Sequence, residues 1–124
     1  MAGEGFSCDI ARFEERVIVG VGGAVDSTTA PELERRVRAV LTAPLVAVVI
    51  DLAYITVLDP DGVGALVRLR QRAAELGSDF QLTALPRPIE RALVRSGAAA
   101  ELGLSARTRR RRTRALARDP HTSS

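Results

Sequence analysis

The sequence predicts an α/β domain: a small mixed four-stranded sheet with helices mainly on one face. Three observations predict it. First, two segments of strand character open the chain, and helical and strand patterns then alternate to the end of the apolar region. Second, aromatic residues make up 3% of the chain against 46% hydrophobic residues overall, so the core must be built from Val, Leu, Ile and Ala. That composition suits parallel strands covered by helices. Third, 124 residues allow one domain and no more. The domain is expected over residues 1–105. A separate arginine-rich tail, expected to be disordered, occupies 106–124.

Each element has its own signal. Phe6-Ser7-Cys8-Asp9-Ile10-Ala11 alternates at period two, which reads as a half-buried strand. Glu14-Glu15-Arg16 is a polar turn, and Val17-Ile18-Val19-Gly20-Val21 is a β-branched second strand, hairpin-paired with the first and ended by Gly22-Gly23. Asp26-Ser27-Thr28-Thr29 is a loop. Thr29-Ala30-Pro31-Glu32 fits a capping box, and Leu33, Val37 and Val40 then mark one face of a helix ending near Pro44. Leu45 to Ile50 is continuously apolar and reads as a central strand buried on both faces. A loop is expected from Leu52 to Leu58.

Asp59-Pro60-Asp61-Gly62 opens the next helix. Asp59 is a good N-cap, Pro60 a good first residue, and Asp61 sets negative charge at the positive end of the helix. Leu66, Leu69, Ala73 and Leu76 carry its apolar face, and Gly77 stops it. Phe80, Leu82 and Ala84 mark a fourth strand. Pro86-Arg87-Pro88 leads into a short helix with Ile89, Ala92 and Leu93, closed by Ser96-Gly97, and Ala98 to Leu104 adds a further turn.

Composition excludes much chemistry. The chain has a single His, His121, four residues from the end, and a single Cys, Cys8. Clustered His/Cys metal sites are ruled out, as are internal disulfides, and a Ser-His-Asp arrangement is implausible. Cys8 lies in the alternating segment and reads as a small core hydrophobe. Gly20 to Gly23 and Gly62 to Gly64 are no phosphate loops, since Lys is absent altogether; they read as close helix–sheet approaches. No catalytic residue and no cofactor is expected. No apolar run nears the roughly 18 residues of a spanning helix. A lone Cys and the lack of a secretory signal core point to the cytoplasm.

At this point the sequence resembles the STAS domain, the fold of bacterial anti-sigma factor antagonists. The resemblance rests on Val46 to Leu52, on Ile55 to Leu66 with Asp59-Pro60-Asp61-Gly62 at the helix start, and on Ile89 to Gly97 with its Ser-Gly ending. It covers roughly residues 6–103. It implies a regulator of transcription that captures an anti-sigma factor or serine kinase-type partner and so frees a sigma factor. It also implies that the residue after Asp59 should be the serine that accepts phosphate. Here that residue is Pro60, and the next hydroxyl position is Asp61. A phosphoserine switch is therefore not expected at this place.

The implied partner face comprises Asp26, Ser27, Thr28, Thr56, Asp59, Pro60, Asp61 and Gly62. The loops at Asp26 and Asp59 should meet, because both follow strands pointing the same way. Asp59-Pro60-Asp61-Gly62 is equally a plain helix start. Two other roles fit the sequence: an adaptor subunit of a membrane lipid-transport ATPase, and a nucleic-acid-associated protein acting through its tail. Residues 1–105 hold 11 Arg against 14 Asp and Glu, a formal −3, whereas 106–124 hold 7 Arg against Asp119 alone, a formal +6. Arg107 to Arg114 could attract a phosphate backbone, an anionic membrane surface or an acidic partner. It could also fold back on the body. No aromatic residue is interleaved, so base stacking is not expected.

Overall fold

Alternation becomes a strand when one of its two faces can be buried. The computed structural model describes residues 5–42, 45 and 47–104. Met1 to Glu4, Ala43, Pro44, Val46, Ser105 and the arginine-rich tail lie outside the described residues. Strand β1 spans Ser7–Phe13 and β2 spans Arg16–Val25, paired antiparallel from Ser7 opposite Gly22 to Phe13 opposite Arg16. There follow α1 (Ala30–Val40), β3 (Ala47–Leu58), α2 (Pro60–Glu75), β4 (Asp79–Thr83), α3 (Arg87–Ser96) and a short α4 (Ala98–Glu101). The sheet order is β1-β2-β3-β4, with β2, β3 and β4 parallel to one another. This is the mixed four-stranded α/β sheet that the patterning predicts.

One face of the sheet carries the core. Val17, Val19 and Val21 of β2, Val48, Ile50 and Leu52 of β3, and Leu82 of β4 meet Leu33 and Val37 of α1 and Leu66, Leu69 and Ala73 of α2. Each large aliphatic side chain so buried contributes about 1.5–3 kcal/mol relative to exposure. Leu93, Ala99, Leu102 and Leu104 bring α3 and α4 onto the same core. Cys8 is buried in it, as expected of a small hydrophobe, and that burial pushes its thiol pKa up. Ser78 is also buried: its hydroxyl donates to the Leu45 carbonyl at 2.6 Å and accepts from the Leu45 amide at 3.2 Å. It thereby ties the α2–β4 turn to the start of β3.

Three expectations about the strands are corrected. Gly22-Gly23 does not end β2, which runs on to Val25. The segment from Leu52 to Leu58 is no loop but the second half of β3. The reason is shared. The register slips between Gly20 and Gly22 and again between Gly23 and Ala24, each time with an extra residue on β3. Such bulges break the period-two pattern by which a strand is read. The glycines make room at the bulge: a Cβ on Gly22 would stand 2.8 Å from Ser7 Oγ and 3.4 Å from Tyr54 Cβ, and Gly23 sits at φ +82. The third correction concerns burial. Val48, Ile50 and Leu52 are covered by the helices, but on the other face Val49 and Asp51 are half-buried and Tyr54 is exposed.

Candidate functional site

Because β2 and β3 are parallel, their C-terminal ends open at one edge, with Val25 opposite Leu58. The loops that follow are stitched together there. The Asp59 amide donates to the Val25 carbonyl at 3.1 Å, which sets the start of α2 against the end of β2. Gly62 makes this approach feasible. A Cβ there would meet the Val25 carbonyl oxygen at 2.6 Å and Leu58 Cδ1 at 2.8 Å. The close-approach reading of this glycine therefore holds.

The two helix starts are built differently. At α2 the Asp59 carboxylate accepts from the Gly62 amide at 2.9 Å, as an N-cap should. At α1 the capping box does not form, because Thr29 makes no side-chain cap bond. Its hydroxyl instead donates to the Ala24 carbonyl at 2.6 Å and accepts from the Asp26 amide at 3.0 Å. The Asp26 carboxylate accepts from the amides of Thr28 at 2.9 Å and Thr29 at 3.2 Å, closing a turn ahead of the helix, and the Asp26 carbonyl accepts from the Ala30 amide at 2.7 Å. Thr29 is buried, so its hydroxyl serves the loop and is hidden from any partner.

These links place the open residues. The start of α2 forms a ridge with Pro60 and Asp61 exposed. On one side a groove of about 450 Å³ separates it from α1, lined by Ser27, Ala30, Pro31 and Glu34 across from Pro60, Asp61, Gly64 and Arg68. On the other side a groove of about 660 Å³ runs between α2 and the α3–α4 pair, over Leu58, Val63, Val67, Leu93 and Ala98. Arg68 crosses to α1, with its Nε 3.0 Å from both Glu34 carboxylate oxygens and an NH2 contact at 2.9 Å. The hydrogen bond to Glu34 raises the Arg68 pKa, with Asp61 adding a smaller attraction.

Ser27 on one side and Pro60 and Asp61 on the other thus line a single groove, and Asp26, Asp59 and Gly62 set the two loops that carry them. Thr28 is exposed on the same loop. Thr56 is not gathered: it is exposed within the last bulged stretch of β3 and lines neither groove. Sequence reading missed Arg68 and Glu34. Pro60, Gly64 and Arg68 follow at spacings of four along one helix face, which was a usable signal for Arg68. Glu34 had none, since its pairing depends on how α1 and α2 lie side by side. Among the described residues no group of three His, Cys, Asp or Glu side chains could hold a metal ion. No helix among them is long and apolar enough to cross a membrane.

The described residues thus form a one-sided mixed sheet with a pair of stitched loops and an exposed helix start at its parallel strand ends. Residues 8–117 match the family described as Mlab, STAS domain, and the chain belongs to the STAS-domain family. Solved structures agree on the fold. An anti-sigma factor antagonist from Mycobacterium paratuberculosis is 24% identical, with a TM-score of 0.68 over 80% of this chain and 84% of that one. The anti-sigma factor antagonist SpoIIAA in its unphosphorylated form is 14% identical, with a TM-score of 0.62 over 89% of this chain and 96% of that one. An antisigma-factor antagonist STAS domain from Rhodobacter sphaeroides is 17% identical, with a TM-score of 0.56 over 66% of this chain and 89% of that one.

Proposed function

We propose that this chain is a non-catalytic regulator of the anti-sigma factor antagonist type. It binds an anti-sigma factor or serine kinase-type protein through the strand-end face. Ser27, Thr28, Pro60 and Asp61 are its contact residues, and Asp26, Asp59 and Gly62 hold them in place. Thr56 lies at the margin of this face. The observation that carries the reading is the junction of the two loops by the Asp59–Val25 bond, which turns two distant segments into one surface. Membership in the STAS family and the antagonist-like fold support it.

Pro60 has no hydroxyl, so partner binding is not controlled by a phosphoserine there. A phosphoserine would bring a charge of about −1.5 to −2. Asp61 carries a single fixed charge, is exposed, and complements the α2 dipole for about 0.3–1 kcal/mol. Phosphorylation at position 60 therefore does not close the face.

The matching family is the Mlab kind of STAS domain. That observation favours a second occupant of the same face: the ATPase of a membrane lipid-transport complex, with this chain as its adaptor. Affinity capture from the source cells, with the full chain as bait and mass spectrometry as readout, separates the two. The unmodified bait is expected to retrieve a serine kinase-type anti-sigma factor. A bait carrying Ser27→Arg and Asp61→Arg is expected to lose it. Retrieval of a membrane ATPase, lost with the same substitutions, would establish the adaptor. Retrieval of neither would leave the fold without this function.

A further inference from the structure

The larger groove has a direction. It begins at Ala98 and Glu101 of α4, crosses the apolar floor of Val63, Val67 and Leu93, and ends at Asp59 and Pro60 on the proposed partner face. The chain leaves the described fold at Leu104, three residues past Glu101, a residue that lines this groove. Twenty residues follow, and an extended chain covers about 3.3–3.6 Å per residue, so a dozen of them reach over about 40 Å. The family match continues through residue 117, so residues 105–117 belong to the domain's sequence pattern. Charge is complementary. Residues 106–124 carry a formal +6 against −3 for 1–105. At the groove, Glu101 and Asp59 offer carboxylates, Asp61 lies beside its far end, and Arg68 is already engaged by Glu34.

We propose that residues 107–118 dock into the groove between α2 and the α3–α4 pair of the same molecule. Arginines of 107–114 pair with Glu101 at the near end, and Arg118 pairs with Asp59 and Asp61 at the far end. Ala115-Leu116-Ala117 supplies the apolar contact to the floor. Docked in this way, the segment covers the Pro60 edge and competes with a partner for the strand-end face. That consequence rests on the function proposed above, whereas the docking does not.

The test uses the full chain. In a Cys8→Ala background, Ala115→Cys carries a nitroxide, and relaxation of backbone amides is read by NMR. The amides of Val63, Gly64, Val67 and Ala98 are expected to relax severalfold faster than in the reduced control. The effect should vanish at about 1 M salt, where the screening length falls to about 3 Å. It should also vanish when Arg109, Arg110, Arg111 and Arg112 are all replaced by Glu. A well-dispersed spectrum with no such relaxation overturns the proposal. So does relaxation centred on Ile18 and Val49 of the open sheet face. So does an equal effect between labelled and unlabelled molecules in a mixture, which would mean contact between copies. None of these outcomes depends on a partner being found.

Discussion

The starts of α1 and α2 lie side by side at the same sheet edge, follow parallel strands, and both carry a Pro in the first turn. They are nevertheless stabilised in different ways. At α2 the capping carboxylate, the tight turn and the helix belong to one continuous motif, Asp59 to Gly62. At α1 the residue in the N-cap position is turned inward to hold the loop to β2, and an Asp three residues earlier binds the amides of Thr28 and Thr29 ahead of the helix. The difference teaches that a local motif specifies its own structure only where no buried neighbour competes for the same side chain. Ala24 presents its carbonyl 2.6 Å from the Thr29 hydroxyl, and that bond inside the fold outweighs a cap at its rim.

Three substitutions sharpen this comparison. The largest effect is expected at Gly62→Ala. The added methyl would meet a backbone oxygen at 2.6 Å, so α2 must shift away from β2. A loss of about 3 kcal/mol, near the upper part of the overpacking range, should appear in urea unfolding even though alanine is the better helix former. Next is Thr29→Ala, which leaves the Ala24 carbonyl and the Asp26 amide short of their partner. About 2 kcal/mol should be lost, with faster hydrogen exchange at Asp26. The smallest is Asp59→Ala, about 1 kcal/mol, the usual cost of a lost N-cap bond. If Thr29→Ala cost no more than Asp59→Ala, the contrast between the two helix starts would be refuted.

Much of the fold was legible in the residues. The apolar faces at spacings of three and four gave α1 and α2, Gly77 and Gly97 marked helix ends, and the position of Asp59 and Pro60 gave the start of α2 to the residue. The bulged half of β3 was not legible. Its two extra residues put Tyr54 and Val57 out of step with the pattern set by Val48, Ile50 and Leu52. Of the site, the approach of the Asp26 and Asp59 loops could be inferred, since parallel strands bring their ends to one edge. The Arg68–Glu34 bridge could not, because nothing local in either helix records the other.

The sequence by itself determined the order of elements, the core residues of the helices, the capped start of α2 and the charge division between body and tail. These follow from periodicity, backbone preference and composition, which act over a few neighbouring residues or over the whole chain. Only the tertiary structure decided that Thr29 turns inward, that Gly62 must be bare of a side chain, that β3 runs on through two bulges, and that grooves flank α2 on both sides. Each of these depends on what another segment presents at that point in space: the Ala24 carbonyl, the Val25 carbonyl, the glycines of β2, the flanks of α1 and α3. Steric exclusion and hydrogen bonding act over a few ångströms, and the contacts they select join residues far apart in the chain.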